Sequence, residues 1–556
     1  MKMKSFEAIA EALALDNVEV MFGLMTSDNM ALLTHLERRG VAIIRARTEH
    51  GAVCMADGYS RATGRLGVVS IGAGPSAAMA ATALMTARRK RSRVAVICGE
   101  VPLADRYHLK RFDQEGFFLN TAGHCLTVNS LKTLIPDTYH VLRLARSGGP
   151  AVLNVPVDLL ESEIDMDDIG TNWRYMVPTV VPAPAKPSDD AVAQAADMLA
   201  NAERPLILAG LGAIEADAGA AALECAGRIG ALLGTSLQAQ HYFDDDFCVG
   251  IVGGLGLGLS MELVDQADVV LGVGASLNVY TSSFGQLFPN AKLIQIDNRP
   301  DAFGRMMPVD LPILGDARLT LEAINRQLAD SGVAGRVGFR TEDARGQIRT
   351  ARSTISPVPE AQVEKLDPNK VFRLLQEVLP PERVDVVDAG HFMYFVVDYL
   401  KTISPKNRIW TADFASIGLS VASGIGAAVA NPEGPVVIYV GDGGFMMSLL
   451  ELDSAVRHAL PVVVIVLNDE AYGAEVRYLE NRGVDYKLAC FPSPDIATVV
   501  SGLGCEARTV RSLAELRDAC CLIGTCKKPL VIDVRIDVTV AHRHLSARVG
   551  SAAASS

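Results

Sequence analysis

Two acidic residues, Asp442 and Asp469, follow two apolar runs that come one after the other in the chain, 436–440 and 462–467. A helix-like stretch separates the runs, so we expect parallel strands whose carboxyl ends share one sheet edge. Carboxylate oxygens brought together suit a hard divalent cation, and Mg²⁺ usually completes its shell with phosphate oxygens. The Gly-Asp-Gly-Gly sequence at 441–444 would let backbone amides approach a phosphate at a helix start. The pattern predicts a Mg²⁺-diphosphate site, whereas this tetrapeptide alone would be interpreted as a surface turn.

This segment resembles the cofactor motif of thiamine-diphosphate enzymes, in which Gly-Asp-Gly is followed one strand later by an Asn-Asn pair. The chain departs from the motif at Asp469, where the family usually has asparagine. A carboxylate also ligates Mg²⁺ through oxygen, although the additional negative charge is expected to alter the metal affinity. The resemblance implies that Asp442, Asp469 and the carbonyl of Ala471 hold the metal.

The same resemblance implies which residues contact the cofactor around its diphosphate. The loop at 388–391 follows an apolar strand and resembles the diphosphate-side loop of the family, so it contributes to this set. The implied cofactor-binding residues of the two segments are Gly390, His391, Gly441, Asp442, Gly443, Gly444, Asp469, Ala471, Tyr472 and Gly473.

A second, independent similarity lies near the amino terminus, where Glu49 precedes the sequence ADGYSRATG at 56–64. This stretch resembles the pyrimidine-binding domain of the acetolactate synthase and 2-oxo acid decarboxylase group. The resemblance implies that Glu49 hydrogen-bonds the aminopyrimidine ring and favours its imino form. That imine would take the proton from the thiazolium carbon and generate the nucleophilic ylid. Taken alone, Glu49 would be interpreted as a solvated acid at a helix start.

A third similarity lies at 413–418, which reads Asp-Phe-Ala-Ser-Ile-Gly. In the family, the matching loop passes beneath the bent cofactor. The resemblance implies that Ile417 supports the angle between the two cofactor rings and that the Ala415 carbonyl accepts from the pyrimidine amine. Without the other similarities, Ile417 would be interpreted as an ordinary core residue.

Residues on the substrate side are implied by shorter local similarities. Glu475, on the helix expected after the metal loop, matches an active-site glutamate of pyruvate-decarboxylase-like enzymes, with an exposed helix acid as the alternative. Ser27 falls where benzoylformate decarboxylase has an active-site serine, and Gln114 lies in a stretch resembling the Phe-Gln-Glu of acetolactate synthases. The adjacent His-His pair typical of pyruvate decarboxylases is not found, so decarboxylase and carboligase both stay open.

Apolar, β-branched runs alternate with helical stretches along the chain, which is typical of parallel α/β layers. Near-continuous apolar strands indicate sheets covered on both faces. Crowded prolines at 177–187 and a polar stretch at 332–368 interrupt the alternation. We therefore predict an α/β protein of three doubly wound parallel-sheet domains. These are a pyrimidine-binding domain at 1–176, a central domain at 188–330, a linker at 331–368, a diphosphate- and Mg²⁺-binding domain at 369–540 and a tail at 541–556.

The composition excludes several classes of protein. Of the 556 residues, 49% are apolar and 21% are charged, which is enough for several domains with large cores. The formal charge of -12 argues against a nucleic acid as the main partner. Ten scattered cysteines without a Cys-x-x-Cys pair argue against a zinc ribbon and fit a reducing compartment. Neither a signal peptide nor an apolar run of membrane-spanning length is found, so we expect a cytoplasmic protein.

The resemblance covers nearly the whole chain and implies a thiamine-diphosphate- and Mg²⁺-dependent enzyme that acts on a 2-oxo acid. Decarboxylation through an enamine would precede protonation or addition to a second carbonyl, as in an acetolactate-synthase-like lyase or transferase. An FAD-containing 2-oxo acid oxidase and a non-catalytic regulatory relative stay open as alternatives. A Gly-x-Gly at 210–212 leaves FAD or ADP in the central domain undecided. The family's active site lies between subunits, which implies at least a homodimer and favours a homotetramer.

Overall fold

The computed structural model describes residues 2–165, 183–353, 365–431 and 434–546. Part of the Pro-rich stretch, the middle of the predicted linker and residues from 547 onward lie outside the described residues. The chain forms two compact units. The first combines Met1–Val181, Glu360–Leu400 and Asn407–His542, and the second combines Pro182–Pro359, Lys401–Lys406 and Arg543–Ser556. The exact boundaries of the three predicted domains stay a prediction.

The amino-terminal part of the first unit is a parallel α/β layer. Its strands are β1 (Lys2–Lys4), β2 (Val20–Gly23), β3 (Ala42–Arg45), β4 (Gly67–Ile71), β5 (Val94–Glu100), β6 (His124–Thr127), β7 (Ala151–Pro156) and β8 (Glu163–Asp165). Its helices are α1 (Ser5–Leu15), α2 (Met30–Arg38), α3 (Glu49–Thr63), α4 (Pro75–Met79), α5 (Ala81–Lys90), α6 (Gln114–Thr121), α7 (Leu134–Arg146) and α8 (Val157–Leu160). Within residues 2–165, the order β3-β2-β4-β5-β7-β6 forms a sheet of parallel neighbours, and β1 pairs antiparallel with β8. The carboxyl ends of the six strands therefore lie at one edge, where ligands bind in such sheets.

The second unit contains a separate parallel sheet. Its strands are β9 (Pro205–Ala209), β10 (Leu232–Thr235), β11 (Cys248–Ile251), β12 (Val269–Val273), β13 (Lys292–Asp297) and β14 (Leu311–Leu314). Its helices are α9 (Asp189–Asn201), α10 (Leu211–Glu215), α11 (Gly219–Ile229), α12 (Gly258–Val264), α13 (Ala317–Asp330) and α14 (Glu342–Ser353). Across residues 183–353 the sheet order is β11-β10-β9-β12-β13-β14, with parallel pairing throughout.

The carboxyl-terminal part of the first unit forms the third parallel layer. Its strands are β15 (Val384–Val387), β16 (Arg408–Trp410), β17 (Val436–Gly441), β18 (Val463–Asn468), β19 (Glu506–Val510) and β20 (Leu530–Arg535). The helices from here onward are α15 (Pro368–Val378), α16 (Phe392–Tyr399), α17 (Ser420–Ala430), α18 (Asp442–Ser448), α19 (Glu451–Arg457), α20 (Gly473–Glu480), α21 (Ile496–Gly502), α22 (Leu513–Cys520) and α23 (Arg543–Ser546). In the described part of this layer, the order β16-β15-β17-β18-β20-β19 is again all parallel. The predicted class of three parallel α/β sheets is confirmed.

Helix α3 packs against helix α17 with almost no space between the two backbones. A Cβ atom on Gly58 would lie 1.9 Å from the carbonyl oxygen of Ser423, and one on Gly426 would lie 1.8 Å from that of Met55. From Gly58 to Met55 along α3, the contacted residue of α17 changes from Ser423 to Gly426. The residue numbers change in opposite directions, so the two helices run antiparallel. This contact joins the first and third layers within one unit, and it requires glycine at both positions.

The strands are buried on both faces, as their apolar runs predict. Val464, Ile465 and Val466 of β18 are each fully buried, as are Val437, Ile438 and Tyr439 of β17. No helix of the described residues combines the length and the hydropathy that a membrane crossing requires.

Candidate active site

The ends of β17 and β18 bring the two predicted metal ligands to one edge of the third sheet. The strands are parallel neighbours, and Gly441 pairs in register with Leu467. Asp442 therefore begins α18 at the same level at which Asn468 and Asp469 leave β18. Asp442 is 1% exposed and Asp469 is 8% exposed, so two carboxylates are buried side by side.

The Asp442 carboxylate receives no well-aligned hydrogen bond from the described residues, although the Asp442 and Gly443 amides lie close enough to lower its pKa. Among the described residues, neither oxygen of its buried carboxylate has a hydrogen-bond partner. Burial and the charge of Asp469 both raise the pKa of Asp442, and burial raises the pKa of Asp469 despite the hydrogen bond from the Ala471 backbone. A buried, unpaired carboxylate is costly, and a divalent cation would relieve that cost for both residues. The donor set therefore fits Mg²⁺.

The loop after β18 presents the predicted third ligand. The Tyr472 amide donates to the carbonyl of Ala489, and the Phe491 amide donates to the carbonyl of Glu470. These two bonds hold the backbone on either side of Ala471 and do not use its carbonyl oxygen. Glu470 in turn pairs with Lys365 at 2.6 Å and Arg535 at 3.2 Å, so cationic residues lie directly behind the two acids.

Close packing of neighbouring side chains explains the glycines around this edge. A Cβ on Gly443 would lie 2.5 Å from the Tyr472 ring, and one on Gly473 would lie 2.5 Å from Oδ2 of Asp469. A Cβ on Gly444 would lie 3.2 Å from Oδ2 of Asp388, which is a looser contact. A side chain at any of these positions would fill the space beside the two acids, which is where a diphosphate would have to approach.

His391 places an uncharged imidazole N–H beside the glycine loop at Gly473. Its Nε2 accepts from the His542 amide at 3.0 Å, so the neutral ring carries its proton on Nδ1. Burial, together with the charge of Arg477, lowers the pKa of His391 to about 3. A Cβ on Gly473 would lie 3.5 Å from Nδ1, which places that N–H beside the glycine loop. Gly390 has φ +151° and would bring a Cβ 2.7 Å from the Phe392 ring, so this turn also requires glycine.

The loop that carries Ala415 and Ile417 is held in an unusual conformation. Ala415 has φ +57°, in the left-handed region, and Ile417 is half-buried rather than part of the core. The Asp388 carboxylate accepts from the Gly418 amide at 2.9 Å and fixes the end of the loop. At the start of the loop, Arg61 of α3 donates to Asp413 at 2.7 Å.

Glu49 lies at the start of α3 with 8% of its surface exposed. Its Oε1 accepts a 2.6 Å hydrogen bond from the Ser76 hydroxyl. The turn before it is fixed by Glu451 of the third layer, which accepts from the amides of Arg47 and Thr48 at 3.0 and 2.9 Å. Glu49 is therefore a positioned, nearly buried carboxylate and not a solvated helix acid.

The predicted substrate-side residues have different environments. Ser27 is exposed and donates to Asp28 at 3.1 Å, and Glu475 is exposed on α20. Gln114 is 1% exposed, and its amide donates to the Gly99 carbonyl and accepts from the Gly74 amide. Its polar atoms thus join two loops of the first sheet, and its contact with substrate stays a prediction.

The two halves of the candidate site do not meet within one chain. Arg61 near the end of α3 contacts Asp413, beside the cofactor loop, whereas Glu49 begins the same helix. A helix of this length spans about 20 Å, so Glu49 lies at the far end of the α3–α17 pair from Ile417. The structure brings together Asp442, Asp469 and the glycine loops, and it holds Glu49 apart from them.

Several positioning residues were missed from the sequence. Arg61 lies inside the ADGYSRATG segment, so its buried contacts with Asp57 and Asp413 had a visible signal. Asp388 lies in the predicted 388–391 loop, but its bond with the Gly418 amide was not predicted. The contacts of Glu451 and Ser76 had no local signal either, because each acts on a residue that is distant in sequence.

Three family models match the chain in order. The amino-terminal TPP-binding domain of thiamine pyrophosphate enzymes matches residues 3–118, their central domain matches 192–324, and their carboxyl-terminal TPP-binding domain matches 388–534. The chain therefore belongs to the thiamine pyrophosphate enzymes, which confirms the predicted family and supports thiamine diphosphate as the cofactor.

The proteins to which this chain is similar are named for different reactions. An acetolactate synthase of Bacillus subtilis is 25% identical over 96% of this chain and 94% of its own. A sulfoacetaldehyde acetyltransferase of Alcaligenes xylosoxydans xylosoxydans is 29% identical over 90% and 88%. A probable 2-ketoarginine decarboxylase of Pseudomonas aeruginosa is 27% identical over 92% and 90%. The chain is thus a thiamine-diphosphate-dependent enzyme of the acetolactate synthase, decarboxylase and acetyltransferase group.

Proposed function

We propose that this protein makes or breaks a carbon–carbon bond next to the carbonyl of a 2-oxo acid, with Mg²⁺ held by Asp442, Asp469 and the Ala471 carbonyl. The observation that carries this proposal is the buried, unpaired carboxylate of Asp442 beside Asp469, at a sheet edge lined by close-packed glycines. The names of two relatives, a sulfoacetaldehyde acetyltransferase and a probable 2-ketoarginine decarboxylase, do not define the substrate of this chain, because the relatives differ in reaction.

Thiamine diphosphate, when bound, supplies a carbon nucleophile and an electron sink for the departing carboxylate. The chain's own residues would bind and orient it. His391 would donate from Nδ1 to a diphosphate oxygen, and Ile417 would support the cofactor from below. Glu49, oriented by Ser76, would hold a proton at the pyrimidine ring.

We further propose that each active site is shared between two copies of the chain. Glu49 and Ile417 lie at opposite ends of α3 and α17, so a second copy has to supply the carboxylate to each cofactor. Exposed apolar side chains flank both halves: Met446, Met447 and Leu450 on the third layer are 42%, 60% and 60% exposed, and Met25 and Met79 on the first are 52% and 54% exposed. Such surfaces are typical of an interface that is covered in the assembled protein.

A complementation experiment tests the shared site. The two inactive variants Glu49→Gln and Asp442→Asn are mixed under conditions that exchange subunits. A site between chains regains activity, because each mixed dimer contains one intact pair, and random exchange gives about a quarter of the wild-type activity. A site within one chain would regain none, and sedimentation analysis of the same samples reports the assembly state.

The reaction is tested with a panel of 2-oxo acids, each offered alone and with an acceptor aldehyde. CO₂ release and product mass distinguish protonation of the reacting carbon from its addition to a second carbonyl. Asp442→Asn is the matched negative control, and the exposed Asp485→Asn is the neutral one. Turnover that persists after removal of thiamine diphosphate and Mg²⁺ would contradict the proposal.

A further inference from the structure

An ion pair between Asp28 and Lys110 lies at the same sheet edge as Glu49. A Cβ atom on Gly72 would lie 3.0 Å from Oδ2 of Asp28 and 3.1 Å from Oγ of Ser76, so both oxygens border the space beside Gly72. Ser76 is the residue that orients the Glu49 carboxylate. The pair therefore lies beside Glu49 and Ser76, which border the reacting centre under the proposed function.

The carboxylate of this pair is fully engaged within the chain. Asp28 accepts from the Lys110 ammonium at 3.0 and 2.7 Å, from the Ala73 amide at 2.9 Å and from the Ser27 hydroxyl at 3.1 Å. Burial alone would raise the pKa of Asp28, but Lys110 and the Ala73 amide hold it below the usual range. Asp28 thus stays ionised and has little capacity for a ligand.

The ammonium is the accessible member of the pair. The side chain of Lys110 is 33% exposed, against 11% for Asp28. A lysine carries three N–H donors, and both contacts with Asp28 are on the same carboxylate, so donor capacity remains toward solvent. The Lys110 backbone lies against Gly74, where a Cβ would come 2.7 Å from the Lys110 Cβ. The position of the cation is therefore fixed relative to α4 and Ser76.

The reacting carboxylate of a 2-oxo acid is a poor partner for this cation. That group has to lose its charge as CO₂ leaves, so a contact that stabilises it in the ground state would oppose the reaction. The Lys110 ammonium is instead suited to an anionic group that takes no part in the reaction and only positions the substrate.

We propose that Lys110, held in place by Asp28, selects a substrate or acceptor that carries an anionic group at its non-reacting end. A carboxylate, a sulfonate or a phosphonate shares the required chemistry. This inference rests on the proposed function for the location of the reaction, and it adds a substrate class to it.

The test compares matched pairs that differ in the terminal charge, using the full-length protein loaded with thiamine diphosphate and Mg²⁺. The pairs are 2-oxopentanedioate with 2-oxopentanoate as donors, and sulfonate-bearing with neutral aldehydes of equal length as acceptors. The measured quantity is the ratio of kcat/KM within a pair. We expect the wild type to favour the anionic member at least about tenfold in one pair, and Lys110→Met to remove most of that ratio.

Two further variants separate recognition from structure. Lys110→Arg should restore part of the ratio, and Lys132→Met, which changes an exposed lysine elsewhere on the same layer, should leave it unchanged. Since each ratio is taken within one protein sample, a partial loss of folded protein does not alter it. An equal preference in the wild type, or a ratio that survives Lys110→Met, would overturn the inference.

A binding measurement decides the inference even if no 2-oxo acid is turned over. Calorimetric titration with butanedioate and with butanoate should show tighter binding of the dianion, and Lys110→Met should abolish the difference. Absence of turnover with intact dianion selectivity would reject the proposed function alone, whereas turnover without selectivity would reject the role of Lys110 alone.

Discussion

The Ser76 hydroxyl donates a 2.6 Å hydrogen bond to Oε1 of Glu49, and it thereby couples the first turn of α3 to helix α4. Among the described residues, the Ser76 hydroxyl engages Oε1 of Glu49 and not Oε2. Under the proposed function, the second oxygen, Oε2, would accept or share the proton of a ring nitrogen of the cofactor. This arrangement suits a carboxylate that holds a proton in a fixed direction.

Replacing Glu49 by Gln should lower kcat by roughly 100-fold or more, because a positioned acid–base group typically contributes that much. The change preserves shape and the bond from Ser76, so the melting temperature should stay within a few degrees of wild type. Steady-state kinetics and thermal melts check both expectations. Glu37→Gln, on the exposed side of α2, is the control and should leave kcat unchanged.

Replacing Asp469 by Asn should weaken Mg²⁺ binding by about tenfold, since one of the two negative charges is lost while an oxygen ligand remains. In EDTA the same variant should melt at a higher temperature than wild type, because two buried carboxylates no longer repel each other. Calorimetric titration with Mg²⁺ alone measures the first effect without turnover. An unchanged affinity would show that Asp469 does not ligate the metal.

Replacing Gly58 or Gly426 by Ala should destabilise the protein by roughly 3 kcal/mol or prevent folding, because the new methyl group would overlap a backbone carbonyl that cannot move alone. Gly502→Ala is the matched control, since it also lies in a helix and a Cβ there meets no atom within 4 Å. Urea unfolding of the three variants provides the comparison. Equal midpoints for all three would contradict the close contact between α3 and α17.

Acid should destabilise the cofactor-free protein partly through His391. Burial lowers its folded-state pKa to about 3, so the unfolded chain takes up a proton near pH 6.5 while the folded chain does not. Stability from this group is therefore present above pH 6.5 and lost as the pH falls toward 3. Between pH 7 and pH 5 this group lowers the free energy of unfolding by about 2 kcal/mol. In His391→Gln the free energy of unfolding should therefore fall by about 2 kcal/mol less than in the wild type over the same pH range. Urea titrations at both pH values measure it, and parallel decreases would refute the role of His391.

Much of the architecture followed from local patterns. Apolar strands such as Val463–Asn468 are buried on both faces, and their alternation with helices is sufficient to predict parallel layers. Asp442 and Asp469 could be paired from sequence because parallel neighbours end at one edge.

The residues that could not be predicted act across long separations. Glu451 reaches Thr48 over 403 positions, and Lys110 reaches Asp28 over 82. Nothing in the local sequence around Glu451 or Lys110 encodes its partner, because such contacts arise only when whole layers pack. The environment of Gln114 illustrates the same limit: the residue type is expected, but both ends of its amide are used by loops of its own domain.

The antiparallel packing of α3 and α17 has a consequence for how activity depends on concentration. A single chain carries both the candidate metal and diphosphate residues and the Glu49 carboxylate, but Glu49 lies at the opposite end of α3 from the 413–418 loop. If the active site is shared between two copies, dilution below the dissociation constant of the assembly should therefore abolish activity without unfolding the chains. Assembly of the subunits would then be the step that completes the active site.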